Sequence, residues 1–111
     1  MGKKNSFYIT TAIHYANAGP HLGHAYEGVL GDVMARYHRQ KGDSTYFLSG
    51  TDEHGDKILR SAQAVDTGPQ AFVDTNAEKF KNLYTKLHLS NDDFIRTSDQ
   101  KHHWPGALAL W

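Results

Sequence analysis

His21-Leu22-Gly23-His24 stands where a turn-rich loop, Ala16-Asn17-Ala18-Gly19-Pro20, meets a long helical pattern. A helix start offers unpaired backbone N–H groups and the positive end of the helix dipole, so it favours an anion by about 0.3–1 kcal/mol. Phosphate is the natural guest. Histidines three apart share one side of a turn, and Gly23 between them lets a nucleotide approach the backbone. As hydrogen-bond donors, the two imidazoles would hold charge that builds on a phosphoryl group in the transition state, an effect worth roughly 10²–10³ in rate per donor in other enzymes. That is catalysis by placement, without a covalent intermediate.

Gly50-Thr51-Asp52-Glu53-His54-Gly55 is the second dense cluster. A carboxylate there, Asp52 first, suits a cationic group such as an α-ammonium, because a charge-assisted hydrogen bond contributes about 1.5–3 kcal/mol. The plainer reading is a charged turn in which Asp or Thr caps the next helix. Ile13, His14 and Tyr15 are either pocket walls or ordinary loop residues. His21, His24 and His54 with Asp52 also make three nitrogens and a carboxylate, a zinc-like set. The i, i+3 spacing of the first pair suits a shared metal less well than the i, i+4 spacing of His-Glu-x-x-His. Neither a Walker loop nor Gly-x-Gly-x-x-Gly is present.

The elements that would hold these clusters follow from pattern. Residues 7–11 are β-branched and aromatic and predict a buried strand. Apolar residues at 22, 26, 29, 30, 33, 34 and 37 predict a helix over 22–41, stopped by Gly42. Residues 45–49 predict a second strand. Helices are expected over 55–65 and over 69–88, the latter opened by Pro69, then a strand at 93–96 and a helix over 99–111. Strand, helix, strand implies a parallel pair, and ligands of such α/β sheets bind at the carboxyl ends of the strands. Thr11 to His24 and Gly50 to Gly55 should therefore face one crevice. Tyr8, Phe47, Phe72, Phe80, Trp104 and Trp111 are expected in the core, and Asp92-Asp93 and His102-His103 in solvent.

Composition narrows the class. The 111 residues suit one domain or part of one. Leu, Ile, Val and Phe together number 22, which supports folding around a modest core because 12 basic and 12 acidic residues cancel. That balance argues against a free-standing polyphosphate-binding surface. No cysteine is present, which excludes disulfides, thiolate zinc and a cysteine nucleophile. Residues 1–6 lead into strand-like sequence instead of a signal-peptide core, so a soluble cytoplasmic protein with no membrane role is expected.

Thr10-Thr11-Ala12-Ile13-His14-Tyr15, Pro20-His21-Leu22-Gly23-His24-Ala25-Tyr26, Ala35-Arg36-Tyr37-His38-Arg39 and Phe47 through Ile58 together resemble the amino-terminal part of a class I aminoacyl-tRNA synthetase, specifically the methionyl-tRNA synthetase family. Phe72-Val73-Asp74 and residues 92–97 extend the resemblance, which runs from about Phe7 to Thr97. A lone His-x-Gly-His is weak; joined to Gly-Thr-Asp-Glu-His-Gly it is specific.

The resemblance implies an α/β, Rossmann-like (HUP-type) parallel sheet, first half only. It implies ATP-dependent activation of methionine to methionyl-adenylate, then transfer to tRNA. His21 and His24 match the family's HIGH signature and would stabilise the phosphates. Gly23 would pack under the adenine, and Glu27 would belong to the ATP site. Asp52 would hold the methionine ammonium, Ile13 would contribute backbone contact, and Tyr15 would line the thioether pocket. Mg²⁺ would accompany ATP, and no zinc site is expected within these residues. Ala12 and His14 stand where many members carry proline and tyrosine. The KMSKS loop, connecting domain and anticodon-binding domain fall outside these 111 residues, so little turnover is expected of them alone. A stand-alone nucleotide-binding or adenylyltransferase-like module is the alternative.

Overall fold

The computed structural model describes residues 4–111; residues 1–3, read above as the approach to the first strand, lie outside them. The first aromatic and β-branched run forms strand β1 (Ser6–Thr10), and a two-residue strand, β2 (His14–Tyr15), follows at once. Helix α1 (Leu22–Gln40) crosses to strand β3 (Ser44–Asp52), the longest of the sheet. Helices α2 (Asp56–Ala64) and α3 (Pro69–Lys86) lead to β4 (Asp93–Arg96) and a short α4 (Trp104–Leu110).

β1, β2 and β4 all pair with β3, and every pairing is parallel. Thr10 lies opposite Leu48 and His14 opposite Thr51, so three residues of the first strand face two of β3. β1 and β2 are thus one strand interrupted by an extra residue, as in a β-bulge. The α/β class and parallel sheet are those of a Rossmann-like domain.

Phe47 and Ser49 point to one face of β3 because side chains alternate along a strand. A Cβ at Gly31 of α1 would lie 2.9 Å from the Phe47 ring, and Ser49 Oγ lies 2.7 Å from the Tyr84 hydroxyl of α3, so α1 and α3 cover that same face. The side of α1 that meets the sheet is made of small or paired residues: Gly28, Gly31, Asp32 and Ala35 are buried. Asp32 accepts hydrogen bonds from Arg36 Nε (2.7 Å) and from the Ser90 N–H (2.6 Å), which fastens α1 to the approach to β4. Phe47 and Phe80 are fully buried, and Ala16, Ile58 and Val73 form a second cluster flanked by Tyr15 and Phe72.

Five expectations fail. β1 is not buried: it alternates exposed and half-buried residues, because the face of the sheet away from the helices is open. Tyr8, expected in the core, is 61% exposed on that face and stacks on Tyr46. The last helix begins at Trp104, not at 99: the Asp99 carboxylate accepts the Lys101 and His102 N–H groups, while its carbonyl accepts those of His103 and Trp104. A turn built on Asp99 therefore precedes the helix. Trp111 is fully exposed and Trp104 is 41% exposed, so neither packs in the core. Asp92 also departs from a simple solvated role, since its carboxylate accepts the Phe47 N–H (2.7 Å) and pairs with Arg39 (2.6 Å). No helix among the described residues is long and apolar enough to cross a membrane.

Candidate active site

The short strand β2 brings the two sequence clusters together. Tyr15 lies opposite Asp52, His14 opposite Thr51, and the Ala16 N–H donates to the Asp52 carbonyl at 2.9 Å. Both strand exits therefore open at one end of the sheet. Among the described residues, the Asp52 carboxylate has only a long contact, 3.4 Å from the His54 N–H, which leaves its acceptor capacity there largely unused. Beyond it the chain turns at Gly55, whose φ of +127° suits glycine, and a Cβ there would also meet the Tyr15 hydroxyl at 2.7 Å. Tyr15 thus rests against the 52–55 turn. Ile13 is half exposed and lines a cleft of about 280 Å³ with Thr10, Thr11, Leu48, Ile95 and Thr97.

The helix start is built by the histidines themselves. His21 is the N-cap: its Nδ1 accepts the Gly23 N–H at 3.0 Å, while the His21 N–H donates to His24 Nδ1 at 3.0 Å. This is a capping box made of imidazoles, where Ser or Thr with Glu is usual. It fixes the chemistry of the rings. A ring nitrogen that accepts cannot carry a proton, so in the neutral ring each proton resides on Nε2. Both His21 and His24 therefore present an Nε2–H donor beside the positive end of α1. The two ring centroids are 3.9 Å apart. Burial holds the His24 pKa below the ordinary imidazole value, the neighbouring His21 lowers it further, and Glu27 opposes both. Gly23 has a definite spatial reason, because a Cβ at this position would stand 2.9 Å from His21 Cε1 and 3.1 Å from its Nδ1.

Behind this pair lies a third imidazole. His14 is 3% exposed, its ring stacked on Phe80 with centroids 5.0 Å apart and its neighbour His24 at 4.9 Å in an edge-to-face contact. Glu27, on the next turn of α1, accepts the Ala12 N–H at 2.8 Å and so ties the exit of β1 to the helix.

A family model described as tRNA synthetases class I (M) matches residues 7–106. The chain belongs to that family. It is 50% identical over 98 residues to a methionine–tRNA ligase of Rickettsia conorii, covering 88% of this chain and 19% of that protein. It is 47% identical over all 111 residues to one of Rhizobium meliloti, covering 21% of it. A Mycobacterium tuberculosis methionyl-tRNA synthetase, whose crystal structure is bound by methionyl-adenylate, matches with a TM-score of 0.85 at 42% identity, over 91% of this chain and 20% of that one. An Agrobacterium radiobacter LeuRS shares the fold, with a TM-score of 0.82 at 22% identity. The chain spans about a fifth of the length of the first two ligases.

Within this class I synthetase chain, the structure groups His21, Gly23, His24 and Glu27 on the first turns of α1, and Ile13, Tyr15 and Asp52 at the adjacent strand exits. It does not join His54 to them. The His54 Nε2 lies 3.2 Å from the Thr97 carbonyl, and no three His, Cys, Asp or Glu side chains among the described residues are placed to hold a metal. Beside α1 lies an open apolar hollow of about 580 Å³ lined by Leu22, Gly23, Ala25, Tyr26, Val29 and Leu87.

Sequence reasoning missed the clamp behind Asp52. The Glu53 side chain is fully buried and accepts from Thr51 Oγ1 (2.8 Å), Arg96 Nε (2.7 Å), Arg96 Nη2 (3.1 Å) and Ser98 Oγ. Arg96 also pairs with Asp74 of α3. The available signal was alternation: counted from Phe47, Glu53 falls on the helix-covered side, where a carboxylate must find partners.

Proposed function

We propose that this chain carries the adenylate-forming site of a methionine–tRNA ligase. A carboxylate oxygen of methionine attacks the α-phosphorus of ATP in line, the bond to the bridging oxygen of pyrophosphate breaks, and methionyl-adenylate forms. The terminal ribose hydroxyl of tRNA then attacks the acyl carbon and AMP leaves. His21 and His24 donate from Nε2 to phosphate oxygens whose charge grows during the first step, with the N-terminal end of α1 behind them. Gly23 and Glu27 belong to the nucleotide side. Asp52 accepts from the methionine ammonium, Ile13 offers backbone contact, and Tyr15 bounds the thioether. Mg²⁺ enters as the companion of ATP, and the setting is the cytoplasm.

The observation that carries this reading is the reciprocal histidine cap, which commits both Nδ1 atoms to the backbone and leaves the proton of each neutral ring on Nε2, one strand exit away from a lightly bonded Asp52. Methionine recognition supplies little beyond shape, since one methylene in an apolar pocket discriminates by only about 1–3 kcal/mol. The test is ATP–pyrophosphate exchange by the full reading-frame product with a panel of amino acids. Exchange should depend on methionine; exchange with leucine or cysteine but not methionine would overturn the assignment. By themselves the 111 residues are expected to exchange little.

A further inference from the structure

His14 is a buried imidazole in contact with the site that the reaction above does not use. Its side chain begins a hydrogen-bonded chain. Nε2 is 2.9 Å from the Tyr84 hydroxyl, which is 2.7 Å from Ser49 Oγ, which is 2.7 Å from Thr11 Oγ1; Thr11 Oγ1 donates to the Ala12 carbonyl at 2.9 Å. Each hydroxyl has one proton. If Thr11 gives its proton to Ala12, Ser49 must donate to Thr11 and Tyr84 to Ser49, so His14 must donate from Nε2 to Tyr84. The N–H of the same residue, Ala12, donates to Glu27 of α1, three residues after His24. The hydrogen-bonded chain thus runs from His14 on β2 through α3 and β3 to Ala12, which is tied to the first turns of α1. No fully buried side-chain nitrogen or oxygen is left unpaired among the described residues.

The other ring contacts of His14 are aromatic, with Glu27 and His21 acting on it electrostatically. Phe80 covers one face at an interplanar angle of 13°, the Tyr84 ring meets it edge-on at 5.9 Å, and the His24 ring stands at 76° to it. Phe80 also supports His24 directly, with centroids 5.0 Å apart. The His24 ring therefore rests in a corner formed by His14 and Phe80, while its Nδ1 is held by the His21 N–H.

We propose that His14 is a positioning residue for His24: anchored through Nε2 to Tyr84, it forms the wall that fixes the plane in which His24 presents its own Nε2–H. Burial, the leading influence on both rings, disfavours their charged forms and so supports a contact between neutral imidazoles. This inference rests on the phosphate role proposed for His24. A donor displaced by about 1 Å loses on the order of 10²-fold in rate.

The test uses the full reading-frame product with His14→Ala, His14→Phe and Tyr84→Phe. Exchange kcat should fall on the order of 10²-fold in His14→Ala with the methionine KM unchanged, and His14→Phe, which restores a ring, should recover most of it. Tyr84→Phe keeps the ring and removes the hydroxyl that anchors His14 and also bonds Ser49, so it guards against a misfolded His14→Ala and should still lower kcat, by about 10-fold. Proton NMR of the His24 ring without substrates should show one sharp set of ring signals in the wild type and shifted, broadened signals in Tyr84→Phe as the ring loses its fixed angle to Phe80, while the Nε2–H tautomer, set by the cap, persists. Unchanged kcat together with unchanged His24 ring signals in Tyr84→Phe would overturn the proposal, as would a change confined to the methionine KM. If the wild type shows no methionine-dependent exchange, the functional reading has failed, and the substrate-free comparison of the His24 ring signals still decides the role of His14.

Discussion

Gly23→Ala separates catalysis from stability because the substitution acts on the two with different size. An added Cβ would lie 2.9 Å from His21 Cε1 and 3.1 Å from its Nδ1, so the ring must swing away and release the Gly23 N–H that it caps. Loss of an N-cap bond costs about 0.5–2 kcal/mol. Alanine in place of glycine within a helix returns up to about 1 kcal/mol. The net change in stability should therefore stay near or below about 1 kcal/mol. The rate effect is larger, since one misplaced phosphate donor costs roughly 10²–10³. Exchange kinetics and thermal unfolding of the same variant, measured on the full reading-frame product, give both quantities. A kcat close to wild type would refute the claim that the His21 ring position matters, and a stability loss matching the rate loss would show that the whole helix start had come apart.

Asp52→Asn should raise the methionine KM by about 10- to 100-fold, the value of one charge-assisted hydrogen bond, and leave the ATP KM near wild type in the same assay. Arg96→Ala strands the fully buried Glu53 carboxylate and should cost about 3–5 kcal/mol in denaturant unfolding, with Glu53→Gln added to it restoring part of the loss. His14 and His24 have folded-state pKa values below the ordinary 6.5, so beneath that pH the unfolded chain takes up protons that the folded chain resists. Stability should be flat above about pH 7 and fall as pH drops beneath 6.5, a slope that His14→Phe should reduce when melting temperature is followed against pH.

The legible part of this fold was what repeats locally. Apolar spacing located α1 to within a residue of its end, yet it did not identify the face that packs: Leu22, Tyr26, Leu30, Val33 and Tyr37 point largely to solvent, while Gly28, Gly31, Asp32 and Ala35 meet the sheet. Periodicity records that a helix has two sides; it does not say which side a glycine-lined approach will choose. Local pattern located His21, Gly23 and His24 at the start of α1, but it led to the expectation of unpaired N–H groups there, whereas the Gly23 N–H is capped by His21 itself. The site was illegible where partners are distant in sequence. His14 with Tyr84 and Glu53 with Arg96 are joined only by the sheet register and by the placement of α3, and neither has a spacing that would announce it. β2 was missed for the same reason, being two residues long and a strand only by virtue of β3.

The most direct measurement is a crystal structure of the full reading-frame product with a non-hydrolysable methionyl-adenylate analogue. The phosphate-mimicking group should lie within about 2.7–3.2 Å of His21 or His24 Nε2 and the ammonium on the Asp52 carboxylate. An analogue bound elsewhere, or one whose ammonium lies away from Asp52 while the histidines contact only water, would contradict that placement.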